Sequence, residues 1–259
     1  MKIKRTPFQI QTSVIHALIE RELKTRFGKY RLGYAWAILQ PAIMVLTFYL
    51  LWSMQGTRTF GGVELIVFLI TGFIPFFLFQ SIIIQCSAAI NSNKGLFNYR
   101  HVKPMDTFIS RILLESMIYL ATYILFLIVA YWVGYDISVD DPLKLVITWA
   151  TIILMASGVG IFIGIISTFI KETDKILPVP LRIMFFTSGL FFPLSIIPSE
   201  EQQWLLWNPM LHAIETGRSA LISSYETPST SLSYPLMFAI VTLALGLSLY
   251  RKYRFRLVS

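Results

Sequence analysis

Six long apolar segments, separated by polar stretches, form the main pattern of this chain. They cover residues 33–54, 63–90, 108–133, 143–170, 176–197 and 232–250. A helix needs about 20 apolar residues to cross the roughly 30 Å of hydrocarbon in a bilayer. Backbone polar groups in lipid must be paired within their own segment, so these segments are predicted to be helices. The pattern predicts an all-α integral membrane protein, with six transmembrane helices in one domain over residues 1–259.

The N-terminal residues 8–30 have a different helical pattern, in which apolar and charged side chains separate onto two faces. Val14, Leu18 and Ile19 fall largely on one face, beside Arg21 and Lys24. This arrangement is typical of an amphipathic helix that lies along the inner leaflet. A helix docked on the rest of the protein would show the same pattern.

The polar segment 91–106 contains Leu96, Phe97 and Tyr99 among basic and polar residues. Exposed apolar side chains flanked by charge favour a docking surface for a partner protein. An ordinary solvated loop is the alternative interpretation.

The longest predicted external segment, 198–231, is not uniformly polar. Asn208 followed by Pro209 is typical of a helix start, with Asn as the cap and Pro in the first turn. We predict two short helices that meet at this turn and form a re-entrant hairpin. Trp204 and Trp207 also fit an ordinary belt of interfacial aromatic residues.

Small residues within the fourth apolar segment predict a close helix contact. Gly160 and Gly164 form a GxxxG pair, which allows two helix backbones to approach each other. We expect this contact to lie inside one subunit rather than between two copies.

Composition and charge add an orientation to this scheme. Hydrophobic residues make up 55% of the chain, too many for one water-soluble core. With six helices, 19 of the 22 Lys and Arg residues lie on one side. The positive-inside rule then places both termini in the cytoplasm. The net charge of +8 therefore indicates orientation, and no nucleic-acid partner is predicted.

The sequence lacks the common catalytic and metal-binding motifs. It contains no GxxxxGK[ST] phosphate loop, so this chain is not expected to hydrolyse ATP. HExxH and GxSxG are also absent, and Cys86 is the single cysteine, so no catalytic residue, bound cofactor or metal site is predicted. Glu115 follows Arg111 by one helical turn, which predicts an ion pair between them.

Three stretches of the sequence resemble a known family. They are residues 21–52, with the sequence RELKTRFGKYRLGYAWAILQPAIMVLTFYLLW, residues 95–115 and residues 206–218. The first resembles the opening of the type-2 ABC exporter permeases, in which a basic interface helix leads into the first span. The matching residues are Arg21, Arg26, Leu32, Gly33, Trp36 and Pro41. The other two stretches resemble the capsule polysaccharide export permeases of Gram-negative bacteria.

This resemblance implies a multi-pass permease of the bacterial inner membrane that exports a lipid-linked acidic polysaccharide to the periplasm. It implies a second copy of the chain as partner and two separate ATPase subunits, which would carry ATP and Mg²⁺. Periplasmic and outer-membrane capsule export proteins are further implied partners. The residues implied to couple to the ATPase are Lys94, Gly95, Leu96, Phe97, Asn98, Tyr99, Arg100 and Lys103. The residues implied to shape the periplasmic exit are Trp204, Trp207, Asn208, Pro209, Glu215 and Arg218.

A conduit for sugars needs aromatic faces and hydrogen-bonding side chains, because a sugar ring presents both apolar faces and hydroxyls. The candidates for the substrate entrance or channel are Arg26, Tyr30, Arg31, Trp36, Gln40, Gln80 and Gln85. Basic residues at an inner-membrane surface are more often topology signals, which is the alternative interpretation of the basic members of this set. An O-antigen, teichoic-acid or drug exporter of the same class is the nearest alternative. A membrane scaffold of a polysaccharide synthase is another alternative, although no segment is long enough for a cytoplasmic catalytic domain.

Overall fold

The computed structural model describes residues 6–27, 35–223, 225, 227 and 229–257. This part of the chain is mostly helical, as the all-α prediction requires. Its α-helices are α1 (Pro7–Phe27), α2 (Ala35–Met54), α3 (Leu65–Ser87), α4 (Pro104–Val133), α5 (Pro142–Phe169), α6 (Thr173–Ile176), α7 (Pro178–Thr187), α8 (Ser199–Gln202), α9 (Pro209–Leu221) and α10 (Ser233–Tyr253). There are also two 3₁₀ helices, Asn91–Asn98 and Leu194–Ile196, and a hairpin of β1 (Thr59–Phe60) and β2 (Val63–Glu64).

The helix α3 forms the centre of the fold. Most of its side chains are buried, and it packs against α2, α4, α5 and α9. Its sequence is apolar on every side, which is the pattern expected of a helix surrounded by other helices.

Glycines allow α5 to approach its neighbours very closely. A Cβ atom on Gly164 would lie 2.4 Å from the carbonyl oxygen of Cys86 on α3, and one on Gly160 would lie 3.0 Å from the Cys86 Cβ. The predicted GxxxG contact is therefore confirmed inside one subunit. On the opposite face of α5, a Cβ on Gly158 would lie 2.5 Å from the backbone nitrogen of Leu243 on α10.

Four helices of the described residues are long and apolar enough to cross a membrane, namely α3, α4, α5 and α10. They correspond to the second, third, fourth and sixth predicted segments. The first segment is α2, whose apolar part runs from Ile38 to Met54, and residues 33 and 34 lie outside the described residues. The helix α4 begins at Pro104, four residues earlier than predicted, and the backbone N–H of Lys103 donates to the Asp106 carboxylate at its start.

The fifth predicted segment differs most from the structure. The sequence predicts one helix over 176–197, but α7 covers only Pro178–Thr187. Ten residues of helix span about 15 Å, half of the hydrocarbon core. After α7 the backbone turns at Gly189, whose φ is +67°, and residues 194–196 form a 3₁₀ turn.

Side chains from the later hairpin explain why α7 can end so early. The Asn208 side chain donates to Thr187 Oγ1 at 2.9 Å and to Ser188 Oγ at 3.0 Å. Arg218 donates to the Gly189 carbonyl at 2.7 Å. Non-helical backbone is tolerated at membrane depth only where its polar groups are paired or solvated. These two side chains supply that pairing, which the local hydrophobic pattern does not reveal.

The segment predicted to hold two helices that meet at Asn208 and Pro209 contains α8, which ends at Gln202, and α9, which begins at Pro209. Residues 203–208 separate the two helices, so they do not meet directly at the predicted turn. The Asn208 side chain accepts a hydrogen bond from Met210 N at 2.9 Å, so the predicted cap at the start of α9 is confirmed. Almost every residue of α9 is buried, because the helix packs between α3, α5 and α10. A helix in this position is part of the core rather than a surface element.

Candidate functional site

Four ionisable side chains from α1 and α4 meet in a buried group, which we call the Arg111 cluster (Glu22, Arg26, Arg111 and Glu115). Arg111 donates to Glu22 Oε1 through Nε at 2.9 Å and through Nη2 at 2.7 Å. Arg26 contacts Glu115 through Nη1 and lies 3.4 Å from Glu22. Arg111 and Glu115 are 5% and 3% exposed, so these are charges held inside the protein and paired with one another.

The predicted ion pair between Arg111 and Glu115 is wrong. Glu115 instead accepts hydrogen bonds from Arg26 and, at 2.7 Å, from Ser81 of α3. The reason is that α1 crosses α4 and brings one acid and one base of its own, so each charge of α4 pairs across helices. Nothing in the local sequence of α4 indicates this crossing.

Arg111 also links these helices to the segment predicted to dock a partner. Its Nη1 donates to the Gln85 carbonyl at the end of α3, and its Nη2 donates to Ser92 Oγ at 2.8 Å. Arg21 of α1 donates to the Asn93 side chain at 2.5 Å. One arginine therefore contacts α1, α3 and the 3₁₀ helix Asn91–Asn98, and α1 is docked on the protein.

The predicted coupling residues divide into an exposed and a buried group. Those on the surface are Lys94, Gly95, Asn98, Tyr99, Arg100 and Lys103. Leu96 is half-buried. Phe97, which the sequence suggests as an exposed docking side chain, is only 7% exposed and packs into the core, so this expectation is wrong. Tyr99, at 66% exposed, remains the large ring on this surface.

A second buried polar group, the Arg218 cluster (Glu215, Arg218 and Tyr225), joins α9 to α3. Arg218 is fully buried, with its guanidinium carbon 3.6 Å from the Phe68 ring centroid and Nη1 2.8 Å from Glu215. The Tyr225 hydroxyl donates to Glu215 at 2.9 Å. Burial raises the pKa of the Tyr225 hydroxyl, so it remains a donor at neutral pH.

Gly72 of α3 makes room for the Arg218 guanidinium. A Cβ atom at this position would lie 2.5 Å from Arg218 Nη2. The sequence pattern does not indicate the Arg218 cluster, because it places Arg218 in the predicted external hairpin. The available signal is the placement of Glu215 and Arg218 three residues apart, a spacing at which an acid and a base on one helix can pair.

The structure separates the predicted exit residues into two environments. Asn208, Pro209, Glu215 and Arg218 are buried in the core, whereas Trp204 and Trp207 are 80% and 52% exposed. Among them, Asn208 links the start of α9 to the end of α7, and Arg218 links α9 to α3. An exit role for the six residues stays a prediction, and the two tryptophans are the exposed members of the set.

The predicted entrance and channel residues do not form one surface. Tyr30 and Arg31 lie outside the described residues. Arg26 is held in the Arg111 cluster, and Gln85 is half-buried beside it at the end of α3. Trp36 and Gln40 are exposed on α2.

Gln80 lies in a cavity of about 190 Å³ between α2, α3 and α7. The lining residues are Met44, Phe77, Gln80, Pro178, Leu181, Arg182 and Phe185. Arg182 also lines this cavity, although the charge pattern indicates it only as one of the basic residues that give the orientation. It follows Pro178 and Pro180 within a predicted apolar segment, which is the sequence feature that distinguishes it from the other basic residues.

Comparison with known proteins gives a consistent family assignment. A family model described as ABC-2 type transporter matches residues 13–222. The chain is 42% identical to the polysialic acid transport protein KpsM of Escherichia coli over 95% of its own length and 96% of that protein. It is 27% identical to the capsule polysaccharide export inner-membrane protein CtrC of Neisseria meningitidis serogroup B. It is 26% identical to the capsule polysaccharide export inner-membrane protein BexB of Haemophilus influenzae. Each of these two alignments covers 94% of this chain and 92% of the relative.

Proposed function

Because the chain belongs to the ABC-2 type transporter family, we propose that it is the membrane-spanning subunit of an ATP-driven exporter of lipid-linked capsular polysaccharide. It is a multi-pass protein of the inner membrane, and in this family the ATPase is a separate protein. The observation that carries the cargo proposal is the 42% identity to a polysialic acid transport protein over nearly the full length of both chains.

The proposed membrane topology has six crossings and both termini in the cytoplasm. Four crossings are α3, α4, α5 and α10, and the first is α2. The fifth combines α6 and α7 with the non-helical residues 188–198. The distribution of basic residues supports this orientation, with 19 of 22 on the side that carries α1 and the 3₁₀ helix Asn91–Asn98.

The proposed assembly contains two copies of this chain and two ATPase subunits. The ATPase would contact the 3₁₀ helix Asn91–Asn98 and the exposed residues that follow it, Tyr99 and Arg100. On α2, Leu46, Leu50 and Leu51 are each more than half exposed, so this face is available to a second copy, as it is to lipid.

The Arg111 cluster supports a route by which motion of the ATPase could be transmitted to the membrane helices. A displacement of the 3₁₀ helix by the ATPase would act on Ser92 and Asn93, which are hydrogen-bonded to Arg111 and Arg21. Through Arg111 the displacement reaches α1, the end of α3 and α4 together. Closely packed helices move as rigid bodies, so the ATP-driven motion would shift these elements against α2 and α7.

The test is reconstitution of the permease with its cognate ATPase in lipid vesicles. We expect capsule glycolipid added to these vesicles to stimulate ATP hydrolysis and to cross the bilayer, because cargo binding favours the conformation that closes the ATPase pair. O-antigen glycolipid at the same concentration serves as the comparison. Stimulation by O-antigen glycolipid alone would transfer the proposal to that cargo, and stimulation by neither polymer would remove the polysaccharide assignment.

A further inference from the structure

Arg182 occupies an unusual position on α7. It is exposed on an apolar helix, and within the described part of the chain it has no hydrogen bond or ion pair. A charged side chain in a membrane-spanning segment is costly and is normally paired or turned toward a polar path. The buried arginines of this chain follow that rule, since Arg111 is paired with Glu22 and Arg218 with Glu215. Arg182 therefore carries a charge for which this part of the structure holds no counter-ion.

Two cavities adjoin the Arg182 side chain. One, of about 190 Å³, is shared with Gln80 and Phe77 of α3 and Phe185 of α7. The other, of about 400 Å³, is lined by Arg182 and the apolar residues Pro178, Val179, Ile183 and Phe186. A water molecule takes roughly 30 Å³ of liquid volume. The smaller cavity, of about 190 Å³, therefore has room for a ligand group of several heavy atoms.

The groups around Arg182 match the surfaces of an acidic sugar. A guanidinium binds a carboxylate through two parallel hydrogen bonds, which gives it more geometric selectivity than an ammonium. The Gln80 amide can both donate to and accept from sugar hydroxyls. The Phe77 and Phe185 rings are stacked, with centroids 6.4 Å apart and planes 19° apart, and offer an apolar face to the C–H side of a sugar ring.

We propose that Arg182 and Gln80 form a carboxylate-binding subsite for an acidic sugar unit of the transported polymer. This inference rests on the proposed function and goes beyond it by naming the chemical group that is recognised and the residues that bind it. Charge complementarity carries the choice of ligand, because the subsite offers one amide, two ring faces and one cation that has no partner among the described residues. A phosphate of a lipid headgroup or of the glycolipid anchor presents similar anionic chemistry, and the experiment separates these sources.

The experiment uses the reconstituted permease and ATPase with two forms of one capsule glycolipid. One form is native, and in the other the carboxyl groups have been chemically reduced to alcohols while the lipid anchor is unchanged. For Arg182→Gln we expect the concentration of native glycolipid that half-stimulates ATP hydrolysis to rise about tenfold or more, the size expected for a lost hydrogen bond to a charged group. With the carboxyl-reduced glycolipid, Arg182→Gln and the unchanged protein should respond alike.

Three further variants sharpen the result. Gln80→Leu should weaken stimulation by both forms, because it removes hydroxyl contacts that the reduced polymer retains. Arg182→Lys should restore part of the response to the native form, since it keeps the charge and loses the two-point geometry. Lys171→Gln removes a basic side chain from the turn before α6, outside both cavities, and should change neither response.

Three outcomes would overturn the subsite. The first is that Arg182→Gln and the unchanged protein respond equally to native glycolipid. The second is an equal loss of response to both polymer forms, which would point to the anchor phosphate or to a structural role of Arg182. The third is a loss that occurs only when the vesicles contain anionic lipid, which would point to a lipid headgroup. Failure of the unchanged protein to respond to any capsule glycolipid would instead overturn the proposed function, and the subsite with it.

Discussion

Arg111 joins several elements of this protein. It lies on α4 and contacts α1, the end of α3 and the 3₁₀ helix Asn91–Asn98. Its partner Glu22 is 89 positions away in the sequence. A sequence pattern shows which residues share one helix face, but not which helix will lie across it. For that reason the local pairing with Glu115 was the natural prediction and the structure contradicts it.

The ion pair between Arg111 and Glu22 predicts that substitutions of these two residues have coupled effects on stability. Arg111→Met leaves Glu22 in a buried site without its main partner, and breaking a buried ion pair costs about 3–5 kcal/mol. We expect a loss near the lower end of that range, because Arg26 still lies 3.4 Å from Glu22. The measurement is the apparent free energy of unfolding of the permease in detergent.

The double variant Glu22→Leu/Arg111→Met provides the decisive comparison. Removing both charges should cost less than the sum of the two single changes, since no uncompensated charge is left. Glu20→Ala, which affects an exposed contact with His16, is the control and should change stability by about 0.5 kcal/mol or less. Strictly additive losses would show that Glu22 and Arg111 are not energetically coupled.

At the scale of elements, local patterns predicted those helices whose ends are determined by neighbouring residues. The start of α9 was predicted correctly because Asn208 and Pro209 define it within two positions. The length of α7 was not, because its end depends on the side chains of Asn208 and Arg218, which come from a later hairpin. The hydrophobic pattern of residues 188–197 is the same whether the segment is helical or paired by distant side chains.

The close packing of α3 and α5 predicts a strong effect of one methyl group. In Gly164→Ala the new Cβ would lie 2.4 Å from the Cys86 carbonyl oxygen, so the two helices must separate. We expect a loss of about 1–3 kcal/mol, the usual cost of overpacking, in the free energy of unfolding in detergent.

Gly217→Ala is the matched control for this change. Gly217 is also helical, but its Cβ would meet only Thr148 Cγ2, at the ordinary distance of 3.5 Å. This variant should be neutral or gain up to about 1 kcal/mol from the higher helix propensity of alanine. Equal effects at the two glycines would argue against a backbone contact at Gly164.

At the scale of the whole molecule, substitutions at the exposed and at the buried residues of the predicted coupling segment should cause two different defects, one in ATPase binding and one in permease stability. Tyr99→Ala/Arg100→Ala removes exposed groups, so the permease should keep its thermal stability and lose most of its bound ATPase. Phe97→Ala removes a core ring, so it should lower the melting temperature of the permease itself. The two measurements are the ratio of ATPase to permease after affinity purification and the melting temperature in detergent.

Asn98→Ala is the control at this surface, because it shortens an exposed polar side chain and should leave both quantities nearly unchanged. A wild-type ratio of ATPase to permease in the Tyr99/Arg100 variant would remove this surface from the proposed interface. The family resemblance predicted the interface segment, but only the fold distinguishes its surface from its core.

The contacts of α5 through its glycines also limit how far this sequence can change. At Gly158 and Gly164, the nearest neighbours of an added methyl group would be backbone atoms of α10 and α3, which cannot turn aside as a side chain can. The exposed positions of α2 meet no such backbone within one copy of the chain, so packing inside that copy allows Leu, Ile and Met to replace one another there. Sequence change is therefore easier along the exposed face of α2, while α5 keeps its small residues and with them its close packing against α3 and α10.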